Sequence, residues 1–158
     1  MHCMDQNAKK ICDYPVSTSR YGVGNLNGSF KTPLGNHSIA QKIGKGCAIN
    51  EVFVGRESIG VLDELLAAKQ VLPDDIISSR ILWLQGEDIG LNKGENDKGE
   101  NSRGEMIDSY QRYIYIHGTA EENKIGQPAS HGCVRMCNKD IIELFDLVDE
   151  GCKVLIEK

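Results

Sequence analysis

Residues 128–136, PASHGCVRM, place a cysteine among groups that can hold or move a proton. Cys133 follows His131 and Gly132, and Arg135 lies two residues further on. A thiol is a weak nucleophile until it loses its proton, and free cysteine, with a pKa of about 8.5, is only slightly ionised at neutral pH. A neighbouring imidazole can take that proton, because its unperturbed pKa is about 6.5. The segment therefore predicts a cysteine nucleophile with a histidine base.

Two histidines are candidates for that base. His117 ends the apolar segment RYIYIHG and is followed by Gly118, so its ring would be held rigidly at the end of a strand. His131 is only two residues from Cys133, and side chains so close in sequence seldom meet head to head. The loop between His117 and Cys133 is long enough to turn back. We therefore expect His117 to act as the base.

The residues next to Cys133 suggest how a reacting acyl group would be held. An acyl-transfer intermediate carries a negative oxygen that needs backbone N–H donors at about 3 Å, and a side chain at position 132 could block that approach. Gly132 avoids the obstruction. Arg135 would supply positive charge to a substrate carboxylate or would fix the loop. Ser130 could donate a hydrogen bond to an imidazole or to the substrate.

Two other interpretations of Cys133 are possible. A lone buried cysteine is usually a small hydrophobic residue, but the clustering of histidine, serine, glycine and arginine around it argues against that role. Zinc could be bound by His117, His131, Cys133 and Cys137. However, the H-x-C-x3-C spacing is unusual for zinc, and the chain has no CxxC pair.

Length and composition limit the class of protein. A chain of 158 residues with 40% hydrophobic and 26% charged residues is expected to form a single domain, residues 1–158. Its net charge of −5 argues against an extended nucleic-acid surface. No apolar segment approaches the roughly 20 residues that span a bilayer, and MHCMDQNAKK does not resemble a signal peptide. The six cysteines are expected to be mostly reduced thiols.

The elements that must position these residues are mostly short strands. Helical spacing predicts a helix that starts near Val61 and ends before Pro73, and a second helix with Asn138 as N-cap and Gly151 at the C′ position. This pattern favours a mainly β domain, a barrel or sandwich with helices packed outside. Short apolar or β-branched segments bounded by turn residues predict strands at residues 14–18, 37–43, 48–55, 80–86, 112–118 and 153–157.

Residues 93–107 contain a five-residue near-repeat, KGEND, KGENS and RGEMI. The segment is too polar to pack and too rich in glycine for a helix, which is typical of a flexible polar insertion. If it leaves the far end of the strand that carries His117, it lies roughly 20 Å from the site, at about 3.3 Å per residue. We therefore expect a surface contact with glycan or a partner protein rather than a lid.

At His117 and Cys133 the sequence resembles the catalytic domain of the L,D-transpeptidases, bacterial cell-wall enzymes. The family motif is a histidine, a loop, and then S/T-H-G-C followed closely by Asn or Arg. Here these parts are HGT at residues 117–119 and SHGCVR at residues 130–135. The segments YPVSTSRYG, GSFKTPLG, VFVGRE, SRILWLQG and YIYIHGT resemble the family in the same order. The resemblance extends from about Tyr14 to the C-terminus.

The resemblance implies a closed or nearly closed β-barrel or sandwich with a few short helices. It implies that Cys133 attacks the diamino-acid carbonyl of a peptidoglycan stem tetrapeptide, releases D-Ala, and passes the acyl group from a thioester to an amine. His117 would be the base. No metal or organic cofactor is expected, and carbapenems should acylate the cysteine. The remaining site residues would be Gly132, His131 and Ser130, which shape the oxyanion site, and Arg135, Gly118 and Thr119, which bind substrate.

The resemblance also places the protein in the periplasm or cell envelope, whereas the N-terminus carries no signal peptide. The acceptor stays open. Water would make the protein an L,D-carboxypeptidase or amidase-type hydrolase, and an outer-membrane protein or lipoprotein could replace the second stem peptide. A non-catalytic wall-binding module is a further alternative, against which the presence of both His117 and Cys133 argues.

Overall fold

The computed structural model describes residues 1–96 and 104–158. The helices in these ranges are α1 (Leu62–Ala67) and α2 (Asn138–Leu147), with a 3₁₀ turn at Glu122–Lys124. The strands are β1 (His2–Met4), β2 (Lys10–Asp13), β3 (Gly35–Ile43), β4 (Glu51–Val54), β5 (Glu57–Val61), β6 (Ile77–Gly86), β7 (Glu95–Asn96), β8 (Glu105–Met106), β9 (Tyr115–Thr119), β10 (Val134–Met136) and β11 (Lys153–Ile156).

The main sheet is built around β6, whose apolar sequence is buried along nearly its whole length. Its strands follow the order β10-β9-β6-β3-β11, and β4 adds to β6 while pairing with β5. The β9–β10 pair is parallel, whereas the other neighbouring strands described in this sheet pair antiparallel. The prediction of a mainly β fold with few helices is confirmed.

Alternating side chains divide the apolar residues into two clusters. On one side α2 covers the sheet, because its spacing of apolar residues gives it a buried stripe. This cluster includes Leu82, Leu84, Ile116, Val134, Met136, Ile141, Leu144 and Phe145. The other cluster is smaller and contains Phe53, Ile81, Trp83 and Tyr115, with Cys133 packed against it. Cys133 therefore borders the cluster on the side of the sheet opposite to α2.

Several element boundaries differ from the sequence prediction. Residues 14–18 form no regular strand, but Ser17 makes an isolated antiparallel bridge with Arg135. The predicted strand at 112–118 begins only at Tyr115, because residues 109–113 form turns. The helix after Val61 ends at Ala67, well before Pro73.

Asn138 is not the N-cap of α2. Cys137 occupies that position, and Asn138 is the first helical residue, with its side chain turned into the core. The helix ends at Leu147, so Gly151, with φ of 88°, lies in the following turn rather than at C′. The predicted cap was wrong because the Asn138 side chain bonds to buried groups of Ser78, Ser79 and Thr119 instead of to the first N–H groups of the helix.

The predicted insertion at residues 93–107 is only partly visible. Its two ends form a short ribbon in which Glu95 pairs with Met106 and Asn96 with Glu105. Residues 97–103, which carry most of the near-repeat, lie outside the described residues. The prediction that the insertion is flexible therefore stays a prediction for this segment. Met106 of this ribbon and Tyr113 line the same cavity.

No helix in the described part of the chain is both long and apolar enough to cross a membrane. All six cysteines are free thiols. Cys3 and Cys12 face each other across the β1–β2 pair. Burial and the neighbouring Cys12 thiol raise the pKa of Cys3 to about 12.

Candidate active site

Cys133 lies immediately before β10 and against the backbone of the residues that lead into β9. Its Sγ accepts a hydrogen bond from the Tyr115 N–H and donates one to the Tyr113 carbonyl, both at 3.4 Å. The thiol can make both bonds because it still carries its proton. Burial raises the pKa of Cys133 to about 12, and the Tyr115 N–H only partly offsets that rise. The cysteine of the resting site is therefore a neutral thiol.

His117 is fully buried in the middle of β9. Its Nδ1 lies 2.6 Å from the carbonyl oxygen of Gly118. A carbonyl can only accept, so Nδ1 carries the proton and Nε2 has a free lone pair. Burial also lowers the pKa of His117 below its usual range. His117 is thus a neutral imidazole whose unprotonated nitrogen can accept a proton.

Strand register places His117 and Cys133 beside the same apolar cluster. His117 pairs with Ile81 of β6, and Tyr115, two residues earlier on β9, pairs with Trp83. Directly paired and alternate residues share one face of a sheet, so the His117 ring lies on the Ile81 and Trp83 face. Cys133 packs against that cluster as well.

Arg135 is paired with His117 across the parallel β9–β10 ladder, and only 1% of its side chain is exposed. Its Nη2 lies 2.6 Å from Oδ1 of Asp75, and its Nη1 donates to Oε2 of Glu121 at 2.9 Å. The residues left two roles open for Arg135, binding a substrate carboxylate or fixing the loop, and the family resemblance implied the first. In the structure its charge is held by two carboxylates, which favours a role in fixing the site.

Asp75 connects the groups around Cys133. It accepts a hydrogen bond from Nδ1 of His131 at 3.0 Å, in addition to its ion pair with Arg135. Burial tends to raise the pKa of Asp75, but the His131 hydrogen bond and the positive charge of Arg135 together hold that pKa below its usual range. Its carboxylate acts in turn on the site, since its negative charge favours protonation of both Cys133 and His117. Sequence reasoning missed Asp75.

Ser130 and Gly132 fix the loop that presents the cysteine. The fully buried Ser130 hydroxyl donates to the Cys133 carbonyl at 2.5 Å and accepts from the Gly132 N–H at 3.2 Å. Gly132 has φ of 127°, which other residues rarely adopt. An added Cβ would meet nothing closer than 3.5 Å, so backbone conformation rather than space requires glycine here. The Gly132 N–H is occupied by Ser130 and does not await an oxyanion.

His131 stands at the rim of the site, beside the turn-rich segment of residues 21–35. Its ring lies edge-on to Phe30, at 6.1 Å between centroids, and tilted to Tyr21 at 6.0 Å. Arg112 holds this segment by donating hydrogen bonds to the carbonyls of Asn25 and Lys31. His131 is thereby oriented by Asp75 on one side and by two aromatic rings on the other.

Gly118 and Thr119 continue β9 beyond His117, and both are buried. A Cβ on Gly118 would lie 2.3 Å from Oδ1 of Asn138 and 2.6 Å from the Ser78 carbonyl, so glycine is needed for packing. The Thr119 carbonyl accepts from Nδ2 of Asn138 at 2.9 Å. Thr119 and Glu122 both line a cavity of about 590 Å³.

Asn138 joins three elements behind the site. Its Oδ1 accepts hydrogen bonds from the hydroxyls of Ser78 and Ser79, both at 2.7 Å, and its Nδ2 donates to Glu122 as well as to Thr119. Such a fully satisfied buried network rigidifies the elements that it connects. The end of β9 just beyond His117 is therefore held firmly to β6 and α2.

The arrangement suits nucleophilic chemistry better than metal binding. Among the described residues, no group of three or more histidine, cysteine or acidic side chains could hold a metal ion. Nδ1 of His131 is engaged with Asp75.

Comparison with known proteins agrees with these features. The chain matches the model of the YkuD family, the L,D-transpeptidase catalytic domain, over residues 3–156. YkuD of Bacillus subtilis (strain 168), named as a candidate L,D-transpeptidase, is 40% identical over 73 residues, which cover 46% of this chain and 44% of that protein. Its namesake in Bacillus licheniformis is 38% identical over 72 residues, covering 46% of this chain and 43% of that protein.

A solved structure, an L,D-transpeptidase from Mycobacterium smegmatis, shares the fold, with a TM-score of 0.50 and 12% sequence identity. The likeness covers 96% of this chain and 51% of that one. The matches thus span about half of each relative or less. The family model, in contrast, covers almost the whole chain. The chain belongs to the L,D-transpeptidase catalytic domain family.

Proposed function

We propose that this domain is a peptidoglycan L,D-transpeptidase in which Cys133 is the nucleophile and His117 the base. The observation that carries the proposal is geometric: the Gly118 carbonyl fixes the His117 tautomer with Nε2 unprotonated, and His117 and Cys133 lie on the same side of the sheet. A neutral thiol at the start of β10 and a neutral imidazole with a free Nε2 border one apolar cluster. A neutral acid and a neutral base can exchange a proton as the new bond forms, without a resting ion pair.

In the first half-reaction the Cys133 sulfur attacks the diamino-acid carbonyl of a stem tetrapeptide while its proton passes to Nε2 of His117. The tetrahedral intermediate then collapses. Its C–N bond to D-Ala breaks, and His117 returns the proton to the departing amine. A thioester between Cys133 and the stem peptide remains.

In the second half-reaction an amine of another stem peptide attacks the thioester. The amine gives a proton to His117, the C–S bond breaks, and the proton returns to the Cys133 sulfur. The product is an amide cross-link, and the enzyme is regenerated. No cofactor is needed for either half.

The surrounding residues would position this pair. Asp75 holds Arg135 and His131, and Ser130 fixes the backbone on either side of Cys133. The negative charge of Asp75 stabilises a protonated His117, which is the state that follows proton transfer. We assign Ser130, His131 and Arg135 to shaping the site, and Cys133 and His117 to the chemistry.

The test is incubation of the protein with purified muropeptide tetrapeptides, with products identified by mass. We expect a cross-linked dimer and free D-Ala from the unsubstituted protein and neither from Cys133→Ala. Tripeptide without dimer would replace the transpeptidase with the hydrolase alternative. Unchanged tetrapeptide would favour the non-catalytic wall-binding module. We expect this activity at the cell envelope, where the substrate is.

A further inference from the structure

A cavity of about 360 Å³ lies next to the nucleophile. It is lined by Arg56, Trp83, Met106, Tyr110, Gln111 and Tyr113. The carbonyl of Tyr113 is the acceptor for the Cys133 thiol. Tyr113 therefore contacts both the cavity and the sulfur.

Arg56 provides the positive charge of this cavity. Its guanidinium lies over the ring of Trp83, at 4.8 Å from the centroid, and over that of Tyr113 at 5.1 Å. Its Nη1 donates a hydrogen bond to the Tyr115 hydroxyl at 3.2 Å. No ion pair joins Arg56 to a carboxylate in residues 1–96 and 104–158. Two aromatic faces and a phenol hold this guanidinium in place and leave its charge available.

The backbone at the cavity is strained at two residues. Arg56 is at the tip of the β4–β5 hairpin, where Gly55 and Arg56 have φ of 58° and 74° between the paired residues Val54 and Glu57. A two-residue turn with both φ values positive normally has glycine at its second position. Tyr113 also has a positive φ, 56°. Non-glycine residues in this conformation cost free energy and tend to occur at ligand clamps.

The Tyr115 hydroxyl lies beside the Arg56 guanidinium, behind the residues that line the cavity. It accepts from Arg56, and burial raises the pKa of Tyr115, so the phenol keeps its own proton. A guanidinium with free N–H groups beside a phenolic O–H matches the acceptor geometry of a carboxylate. The backbone N–H of the same tyrosine contacts Sγ of Cys133. The donors and the nucleophile are thus spaced by the length of one tyrosine.

We propose that this cavity binds a carboxylate of the acyl-donor stem peptide, with Arg56 as the recognition residue and the rings of Trp83 and Tyr113 as its walls. The inference rests on the proposed function for the identity of the ligand. A tetrapeptide donor offers two carboxylates near the scissile bond. One is on the terminal D-Ala, and the other is at the end of the diamino-acid side chain when that residue carries one.

Binding is measured by calorimetry on the Cys133→Ala protein, which cannot turn the peptide over. The ligands are the tetrapeptide, the same peptide amidated at its terminal D-Ala, and the peptide amidated at the diamino-acid side chain. Each is titrated into protein with Arg56, with Arg56→Gln and with Arg56→Lys. Lys45→Gln, which removes one exposed positive charge elsewhere, is the matched control.

We expect Arg56→Gln to weaken tetrapeptide binding by about 10- to 100-fold, the range of one charge-assisted hydrogen bond. Arg56→Lys should recover part of the loss, and Lys45→Gln should bind normally. Amidating the recognised carboxylate should weaken binding to the protein with Arg56 by a similar factor. In Arg56→Gln the amidated peptide and the tetrapeptide should bind with equal affinity. The amidated peptide that shows this behaviour identifies which carboxylate is bound.

Tetrapeptide binding that is unchanged by Arg56→Gln would overturn the inference. An equal loss for all three peptides would also overturn it, because Arg56 would then support only the fold of the hairpin. Turnover of the tetrapeptide by the Cys133 protein is followed separately. Absence of turnover combined with binding that depends on Arg56 would refute the proposed function and leave this inference standing.

Discussion

Cys133 should alkylate slowly at neutral pH although we propose it as the nucleophile. Sequence reasoning suggested the opposite, a thiol activated by the histidines around it. The structure surrounds the sulfur with apolar side chains and a nearby carboxylate, Asp75, and both favour the protonated form. A small electrophile such as iodoacetamide reacts only with the thiolate, so its rate depends on how much of Cys133 is ionised at equilibrium. Transfer of the proton to His117 during the reaction does not accelerate it.

The size of the effect follows from the pKa of Cys133. That pKa rises from an ordinary value of 9.0 to about 12, so the thiolate is depleted by about 10³-fold at any pH well below 9. A thiolate of higher pKa is more nucleophilic, with a Brønsted slope of about 0.4–0.5, which recovers about 15- to 30-fold. The net expectation is alkylation slower by about 30- to 60-fold than for an unperturbed thiol.

The assay is alkylation with iodoacetamide followed by digestion and mass analysis of the peptide that contains Cys133. The same peptide in denatured protein is the internal control. The rate in native protein should increase about tenfold per pH unit from pH 6 to 9 without a plateau. Asp75→Asn removes a negative charge near the sulfur and should raise the rate.

Fast alkylation at pH 7 with a plateau below pH 8 would refute this reasoning. It would show that the resting site holds a thiolate and an imidazolium rather than two neutral groups. Restricted access of the reagent could slow the reaction but could not shift the pH at which it saturates. The pH profile therefore separates ionisation from access.

Four variants test the site. His117→Gln should lower the rate of carbapenem acylation, measured by intact-protein mass, by about 10²- to 10⁴-fold. His131→Gln should lower that rate by a smaller factor. A larger loss of rate in His131→Gln than in His117→Gln would exchange the roles of the two histidines. Gly118→Ala should destabilise the fold by about 1–3 kcal/mol in urea unfolding, because its Cβ would overlap Asn138, and unchanged stability would contradict that packing. Asp75→Asn should lower the free energy of unfolding by about 1–3 kcal/mol at pH 7. Folding lowers the pKa of Asp75, so the contribution of this carboxylate to the free energy of unfolding is complete above about pH 4 and is lost as the pH falls below that value. The difference in stability between the unsubstituted protein and Asp75→Asn should therefore shrink at pH 3.

The parts of the fold and site that could be predicted from sequence are those with a local signal. β6 was recognisable because ILWLQG is apolar and ends at glycine. Cys133 and His117 stood out through their neighbours and through the family motif. The predicted end of β9 at the histidine was nearly right, whereas its start was wrong because aromatic residues at 110 and 113 suit turns as well as strands here.

The parts that could not be predicted depend on contacts between distant residues. Asp75 lies 56 positions from His131, in the polar segment LPDD, which looks like any surface loop. The two carboxylates that reach Arg135, those of Asp75 and Glu121, are likewise not apparent from the sequence. Asn138 looked like a helix cap because asparagine is common there, but its buried amide network with β6 and β9 prevailed. Each of these assignments requires the packed structure.

The chain contains a single tryptophan, and that residue is Trp83. It stacks on Tyr110 at 4.0 Å with the rings nearly parallel, lies beneath the Arg56 guanidinium, and is only 7% exposed. All indole fluorescence of this protein therefore originates in the wall of the cavity beside Cys133. A peptide that draws the guanidinium toward its carboxylate changes the electric field at the ring and hence the emission. The domain carries a built-in optical reporter of site occupancy that needs no label.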